Sequence, residues 1–243
     1  MNKEKTRNNN QHTSCCHHVN CSGNNESCVA IVPIFNHLEK NQMEEIMGVT
    51  HSVAYKKGEV IYSAGDQADS LYIINMGRVR IYRLSEAGKE QLLRILKPGD
   101  FTGELALFNE TLHEAYASAM VDTSICTVKR SDFQDLLLKY PSISLKVMAE
   151  FSRRLERAER QTTRLATEKV ETRIALFLAE CLEVGNMNNE ITLPMSKKDL
   201  ASYLGTTPET ISRKLYELET LGYIRLISNK KIQILDLDSL FLI

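Results

Sequence analysis

The sequence has no apolar run approaching the roughly 18 residues that a membrane-spanning helix needs, so no transmembrane segment is expected. Its first 28 residues are polar and lack the apolar stretch of a secretory signal, which makes the cytoplasm the expected compartment. Charge of one sign is also missing: 30 Lys and Arg stand against 31 Asp and Glu, a net charge of -1. Any binding to nucleic acid must therefore rest on a local concentration of cations, not on the whole chain. There is no Cys-x-x-Cys pair, no glycine-rich nucleotide fingerprint and no paired acid-base constellation, so an enzyme is not expected.

What is present is enough apolar material, 43% of 243 residues, for one or two well-formed cores. Four of the six cysteines, Cys15, Cys16, Cys21 and Cys28, crowd into the N-terminal segment. In a reducing compartment such a cluster points to metal ligation or redox chemistry before a structural disulfide. Residues 1–28 carry almost nothing to bury, so on their own they are expected to be flexible and to need an added bond to order them. Apolar density begins at Val29-Ala30-Ile31-Val32-Pro33-Ile34-Phe35, and Leu38, Met43, Ile46 and Met47 then carry the spacing of a short amphipathic helix.

From His51 to Lys129 short β-branched or aromatic runs alternate with glycines at 58, 65, 77, 88 and 99, the rhythm of a sandwich or roll of short strands. A helix is expected over Ser131–Tyr140, and Pro141 opens a much longer one, proline being well suited to a first helical position. In the long helix Phe151, Leu155, Ala158, Thr162 and Leu165 make a narrow apolar seam on an otherwise charged surface. A twin helix in a parallel dimer is the simplest partner for such a seam, the alternative being the chain's own β domain. Ala158 and Thr162 offer little apolar area, so the pairing is expected to be weak and open to control.

After Thr172 a helix leads to a turn at 185–189 and then to Met195 through Leu215, a helix-turn-helix pattern. Ser196 is placed as an N-cap, Leu200 and Leu204 face a core, Gly205 ends the first helix and Thr207-Pro208 starts the second. With Ile211, Leu215 and Leu218 turned inward, Glu209, Ser212 and Arg213 project together, and their chemistry suits base edges in the major groove. A hairpin around Ser228-Asn229-Lys230 forms a wing. Between Ser196 and Lys231 seven Lys and Arg face four Asp and Glu, a local positive balance suited to phosphates.

From about residue 29 to residue 240, the order of elements resembles the CRP/FNR family of bacterial transcription regulators. Gly99-Asp100-Phe101 with Gly103-Glu104-Leu105-Ala106-Leu107 is similar to the family's phosphate-binding cassette, and Glu209-x-x-Ser212-Arg213, preceded by Pro208, resembles the FNR branch. The resemblance implies an α+β chain: an N-terminal segment (1–28), a cyclic-nucleotide-binding-like β-roll (29–140), a dimerisation helix (141–168) and a winged helix-turn-helix (169–243). It also implies a homodimer on a palindrome related to TTGAT-N4-ATCAA, acting with RNA polymerase.

Within that resemblance, cyclic-nucleotide binding needs an Arg and a Ser about ten residues after the Gly-Glu-Leu motif, and here Glu114 and Ala115 stand there, with Ala158 and Glu159 replacing the Thr-Ser pair that meets adenine. An acid would repel a cyclic phosphate, so no cyclic nucleotide is expected, and Glu104 is read as satisfying turn amides. Oxygen-sensing members hold a four-iron four-sulfur (4Fe-4S) cluster on three N-terminal cysteines and one from the roll, which implies Cys16, Cys21, Cys28 and Cys126 as ligands. The spacing Cys16-x4-Cys21-x6-Cys28 is wider than the family's usual one, and Cys15 could replace Cys16. A thiol-disulfide switch, a zinc site drawing on His17 and His18, and haem remain the alternatives. Cys181, between Leu178 and Leu182, is read as an inert core residue.

Overall fold

A computed structural model describes residues 13–14, 29–182 and 189–242. They divide into two compact units, residues 1–83 with 94–152 and residues 84–93 with 153–243.

The first unit is built on two antiparallel sheets. Strands β1 (Thr13–Ser14), β2 (Thr50–Tyr55), β5 (Ser70–Met76), β8 (Phe101–Thr102) and β11 (Thr123–Lys129) form one, in the order β1-β2-β11-β5-β8. The other has the order β3-β10-β6-β7, from β3 (Val60–Tyr62), β6 (Val79–Leu84), β7 (Glu90–Leu96) and β10 (Tyr116–Ala119). A small pair joins β4 (Gln67–Ala68) to β9 (Thr111–Leu112). Side chains alternate across each strand, so β11 serves two cores at once. Ile125 points into the roll with Tyr62, Ile74, Val79, Ile81, Leu96 and Ala117. Its neighbour Cys126 faces the other way, into a cluster with Ile73, Val128, Phe35, Phe133 and Val147.

That second cluster is roofed by helices. Residues 29–38 fold as consecutive turns and deliver Val29, Val32, Ile34 and Phe35 to it, and α1 (Lys40–Gly48) adds Ile46. Helix α2 (Arg130–Lys139) contributes Phe133 and Leu136, with the Phe35 and Phe133 rings edge-to-face at 6.2 Å. Helix α3 (Pro141–Thr167) lays Ile143 and Val147 on the same cluster. Each of these fully buried side chains contributes roughly 1.5–3 kcal/mol of transfer free energy. Gly99, at φ +89°, is hemmed in by the Ile31 carbonyl, 2.8 Å from where a Cβ would stand. The turn that starts the cassette thus closes against the N-terminal roof.

In the second unit the end of α3 is followed, after a break at Glu168 and Lys169, by α4 (Val170–Leu182). No proline or glycine marks the break. A three-stranded sheet β12-β14-β13 follows from Glu190–Thr192, Ile224–Leu226 (β13) and Lys231–Ile234 (β14), with α5 (Lys197–Tyr203) and α6 (Pro208–Thr220) inserted between its strands and α7 (Leu237–Phe241) closing the chain. Among the described residues no helix is long and apolar enough to cross a membrane.

Candidate nucleic-acid interface and sensory cysteine

The helix-turn-helix is assembled by local chemistry. Ser196 Oγ accepts from the Asp199 amide at 3.1 Å and starts α5, as its sequence position predicts. The carbonyls at the other end of α5 are met by side chains: Gln161 Nε2 donates to Tyr203 O at 2.9 Å and Arg173 Nη1 to Leu204 O at 2.5 Å. Gly205 then turns the chain at φ +66°, where a Cβ would lie 3.1 Å from Leu165 and 3.3 Å from Arg173. Only glycine takes that backbone without strain. Thr207 Oγ1 accepts from the Thr210 amide at 3.2 Å, and Pro208 occupies the first turn of α6.

Helix α6 buries Ile211, Leu215 and Leu218 and leaves Glu209, Ser212 and Arg213 exposed together, so the three residues expected to read bases share one open face. Tyr216, 65% exposed, lies on that face too. Its spacing of four from Ser212 and three from Arg213 is the sequence signal that places it there. Arg213 Nε lies 3.8 Å from Glu217, which is held more closely by Lys214 Nζ at 2.7 Å, and Lys214 also approaches Glu171 at 3.7 Å. The guanidinium is thus loosely tethered, keeping its donors for an outside acceptor. Wing residues Ser228, Asn229, Lys230 and Lys231 are exposed, and Ser228 Oγ accepts from the Lys231 amide at 3.1 Å to tighten the turn.

Cys126 is wholly buried, opposite Ser52 on β2 and Ile73 on β5. Cys15, Cys16, Cys21 and Cys28 lie outside the described residues, as do His17 and His18. Both flanks of that segment are described, and both lie on the side of the unit that holds Cys126. Val29, next after Cys28, belongs to the same buried cluster. Thr13 of β1 pairs with Ser52, the residue opposite Cys126, which places it two strand spacings away, or about 10 Å. Among the described residues no three His, Cys, Asp or Glu side chains come together as a metal site. Cys181 is half-buried in α4, and burial, assisted by Glu180, pushes its thiol up to about 11.

Inside the roll, Glu104 is expected to satisfy turn amides, and the structure places a cation, Arg94, beside its carboxylate. Arg94 Nη2 donates to its Oε1 at 3.1 Å and reaches Thr102 Oγ1 at 3.4 Å. Thr102 is also bonded to Tyr62 Oη at 2.8 Å, and His113 stacks on the Tyr62 ring at 3.8 Å. Burial lowers the His113 imidazole below its ordinary value, against the pull of Asp66 and Asp69. Arg94 could not be foreseen, because the pairing joins β7 to the turn after β8. Glu114 lies at the surface, ion-paired with Arg83.

The seam of α3 divides along its length. Phe151 is half-buried and meets Phe108 edge-to-face at 5.8 Å, so the start of the seam packs on the chain's own roll. Beyond it Leu155 is 62% exposed, and Ala158 and Thr162 are exposed as well. Met148 (65%) and Leu145 (70%) are exposed nearer the start of the helix.

Comparison with known proteins agrees with this architecture. Residues 52–140 match the family described as Cyclic nucleotide-binding domain, and residues 172–241 match the Crp-like helix-turn-helix domain. The chain is 36% identical to the probable transcriptional regulator flp of Lacticaseibacillus casei, over 88% of this chain and 96% of that protein. It is 30% identical to the Cyclic AMP receptor protein of Thermus thermophilus, over 80% and 88% of the two chains. Identity to the Anaerobic regulatory protein of Pasteurella multocida is 29%, over 91% and 81%. Among solved structures, FixK2 from Bradyrhizobium japonicum superposes with a TM-score of 0.69 at 30% identity, covering 79% of this chain and 96% of that one. With a roll, a long helix and a capped helix-turn-helix in the same order, the chain belongs to the CRP/FNR family of transcription regulators.

Proposed function

We propose that this regulator is redox-responsive, that it pairs along the exposed part of α3 and reads an FNR-type palindrome with Glu209, Ser212 and Arg213, working with RNA polymerase. Its signal enters through Cys126 together with Cys16, Cys21 and Cys28. The observation that carries this reading is the position of Cys126: buried in the cluster that takes in Val29, and one strand from the partner of Thr13, so that both flanks of the cysteine-bearing segment are fixed beside it. Relatives named for anaerobic regulation lend support.

Four thiolates are a suitable donor set for a 4Fe-4S cluster, whose oxygen lability would supply the signal when it is bound. The chain's own part is to bring the tail and the roll together, since a polar segment gains its order from ligation. One observation favours a second reading. Cys126 is buried in an apolar cluster that also holds Val29, Phe35, Phe133 and Val147, and one disulfide would add less bulk to such a core than a metal cluster would. In either case the reading takes no cyclic nucleotide as the ligand, the Glu104 carboxylate inside the roll being already paired with Arg94.

The test is anaerobic purification followed by absorption spectroscopy, iron and sulfide analysis and non-reducing mass measurement, before and after air. A cluster gives visible absorption and about four iron per chain, lost with Cys126→Ala. A switch gives no iron and a mass lower by two hydrogens after oxidation. If Cys126→Ala retains both iron and oxygen-dependent DNA binding, the assignment of Cys126 fails. Alanine is used because serine would place a hydroxyl in an apolar core, a cost of its own.

A further inference from the structure

We propose that Tyr216 is a specificity-determining residue, reading a thymine methyl group at one position of each operator half-site. The inference rests on DNA reading by α6 and is independent of how the signal is received.

The argument begins with the helix itself. At 100° per residue, positions 209, 212, 213 and 216 fall within one stripe, with 216 between 212 and 213 around the axis and about 10 Å further along it than 209. The opposite stripe, Ile211, Leu215 and Leu218, is buried. Tyr216 therefore stands in the middle of the reading face, two turns in from its leading edge. Its side chain is 65% exposed, beside Arg213 at 68%. A large ring left open on a face otherwise lined by Glu209, Ser212, Arg213 and Glu217 has no structural reason to be aromatic, because the fold buries none of those neighbours.

The charges around it define what it can contact. After Arg213 the exposed residues of α6 are Tyr216, Glu217 and Thr220, while Lys214 is half-buried and drawn to Glu217 and Glu171. An acidic neighbour disfavours phosphate, so this half of the helix is poorly suited to clamping the backbone by charge. A neutral ring is suited to the one apolar feature of the major groove, the 5-methyl group of thymine. The groove, about 12 Å wide and 8.5 Å deep, admits a helix with a side chain of this length pointing at its floor.

The test uses the full-length chain and a duplex selected from a random-sequence library, so that it does not depend on the palindrome proposed above. Each thymine of the selected half-site is replaced in turn by deoxyuridine, which removes only the methyl, and affinity is measured for wild type, Tyr216→Ala and Tyr216→Phe. Wild type should lose roughly fourfold per half-site at one thymine, the value of one buried methyl-sized contact. Tyr216→Ala should bind the thymine duplex more weakly by at least that factor and be indifferent to deoxyuridine at that position. Tyr216→Phe, keeping the ring, should behave as wild type. Loss in Tyr216→Ala that is equal on selected and scrambled duplexes, with every thymine behaving additively, overturns the proposal in favour of a backbone contact. Unchanged affinity in Tyr216→Ala overturns it outright.

Discussion

Replacing Arg213 by alanine should separate DNA reading from folding more cleanly than any other single change. The side chain is 68% exposed, and it pairs with Glu217 at 3.8 Å, an exposed pair one helical turn away. Such pairs are worth about 0–0.5 kcal/mol, so the melting temperature of the variant should stay within a degree or two of wild type. On DNA the loss is of another order. A two-pronged contact to guanine discriminates by about 1–3 kcal/mol, and a symmetric dimer makes it twice, so binding should fall by roughly 30-fold to 10⁴-fold. Because the contact is to a base, the dependence of affinity on salt should hardly change, whereas removing a phosphate-binding cation such as Lys230 in the wing should lower the slope by about 0.9 per contact. Fluorescence anisotropy at three salt concentrations, on the operator and on a scrambled duplex, decides the matter. If the Arg213→Ala protein loses equally on both duplexes, or not at all on the operator, the assignment of α6 as the base-reading element is wrong.

Three further outcomes follow from the same geometry. Ala158→Leu adds apolar area to an exposed stretch of α3 beside Leu155, so sedimentation should show a tighter dimer; no change would mean that the subunits do not meet there. Arg94→Met leaves the Glu104 carboxylate, 11% exposed, without that cation; allowing for the partial exposure of Arg94, stability should fall by about 1–3 kcal/mol in urea unfolding, with most of it restored by adding Glu104→Gln. Burial holds the Cys181 thiol near 11, so thiolate is scarce at pH 8 and alkylation should be much slower than for an exposed cysteine, rising as pH climbs toward 11; Cys181→Ser should leave DNA binding intact, and fast labelling at pH 8 would contradict the burial.

The parts of the structure that the sequence made legible are those fixed by neighbours along the chain. Ser196, Gly205 and Thr207-Pro208 bring their own capping and turn chemistry, so the two helices of the DNA-reading motif could be placed to within a residue or two. The run of β-branched residues in β11, Thr123, Ile125, Thr127 and Val128, likewise suits a strand. Pairings made at long range were not legible. Nothing in Thr13–Ser14 marks it as a strand, since its pairing is supplied by the edge of β2. Arg94 meets Glu104 only because the sheets bring β7 over the turn that follows β8. The seam of α3 was visible as periodicity, but its division between the roll and open solvent depends on Phe108, which the periodicity of α3 does not contain.

The two faces of α6 have an evolutionary consequence. Ile211, Leu215 and Leu218 anchor the helix, while the residues proposed to meet DNA bury almost nothing within the chain. On the proposed roles, a point mutation at Glu209, Ser212, Arg213 or Tyr216 should redirect the protein to a different set of promoters with little effect on its abundance in the cell. Cys126 is constrained otherwise, because it is buried in the same core cluster as Phe35, Phe133 and Val147. On the proposed roles of α6 and Cys126, gene targets should diverge quickly among descendants of this chain, and the kind of signal they answer to slowly.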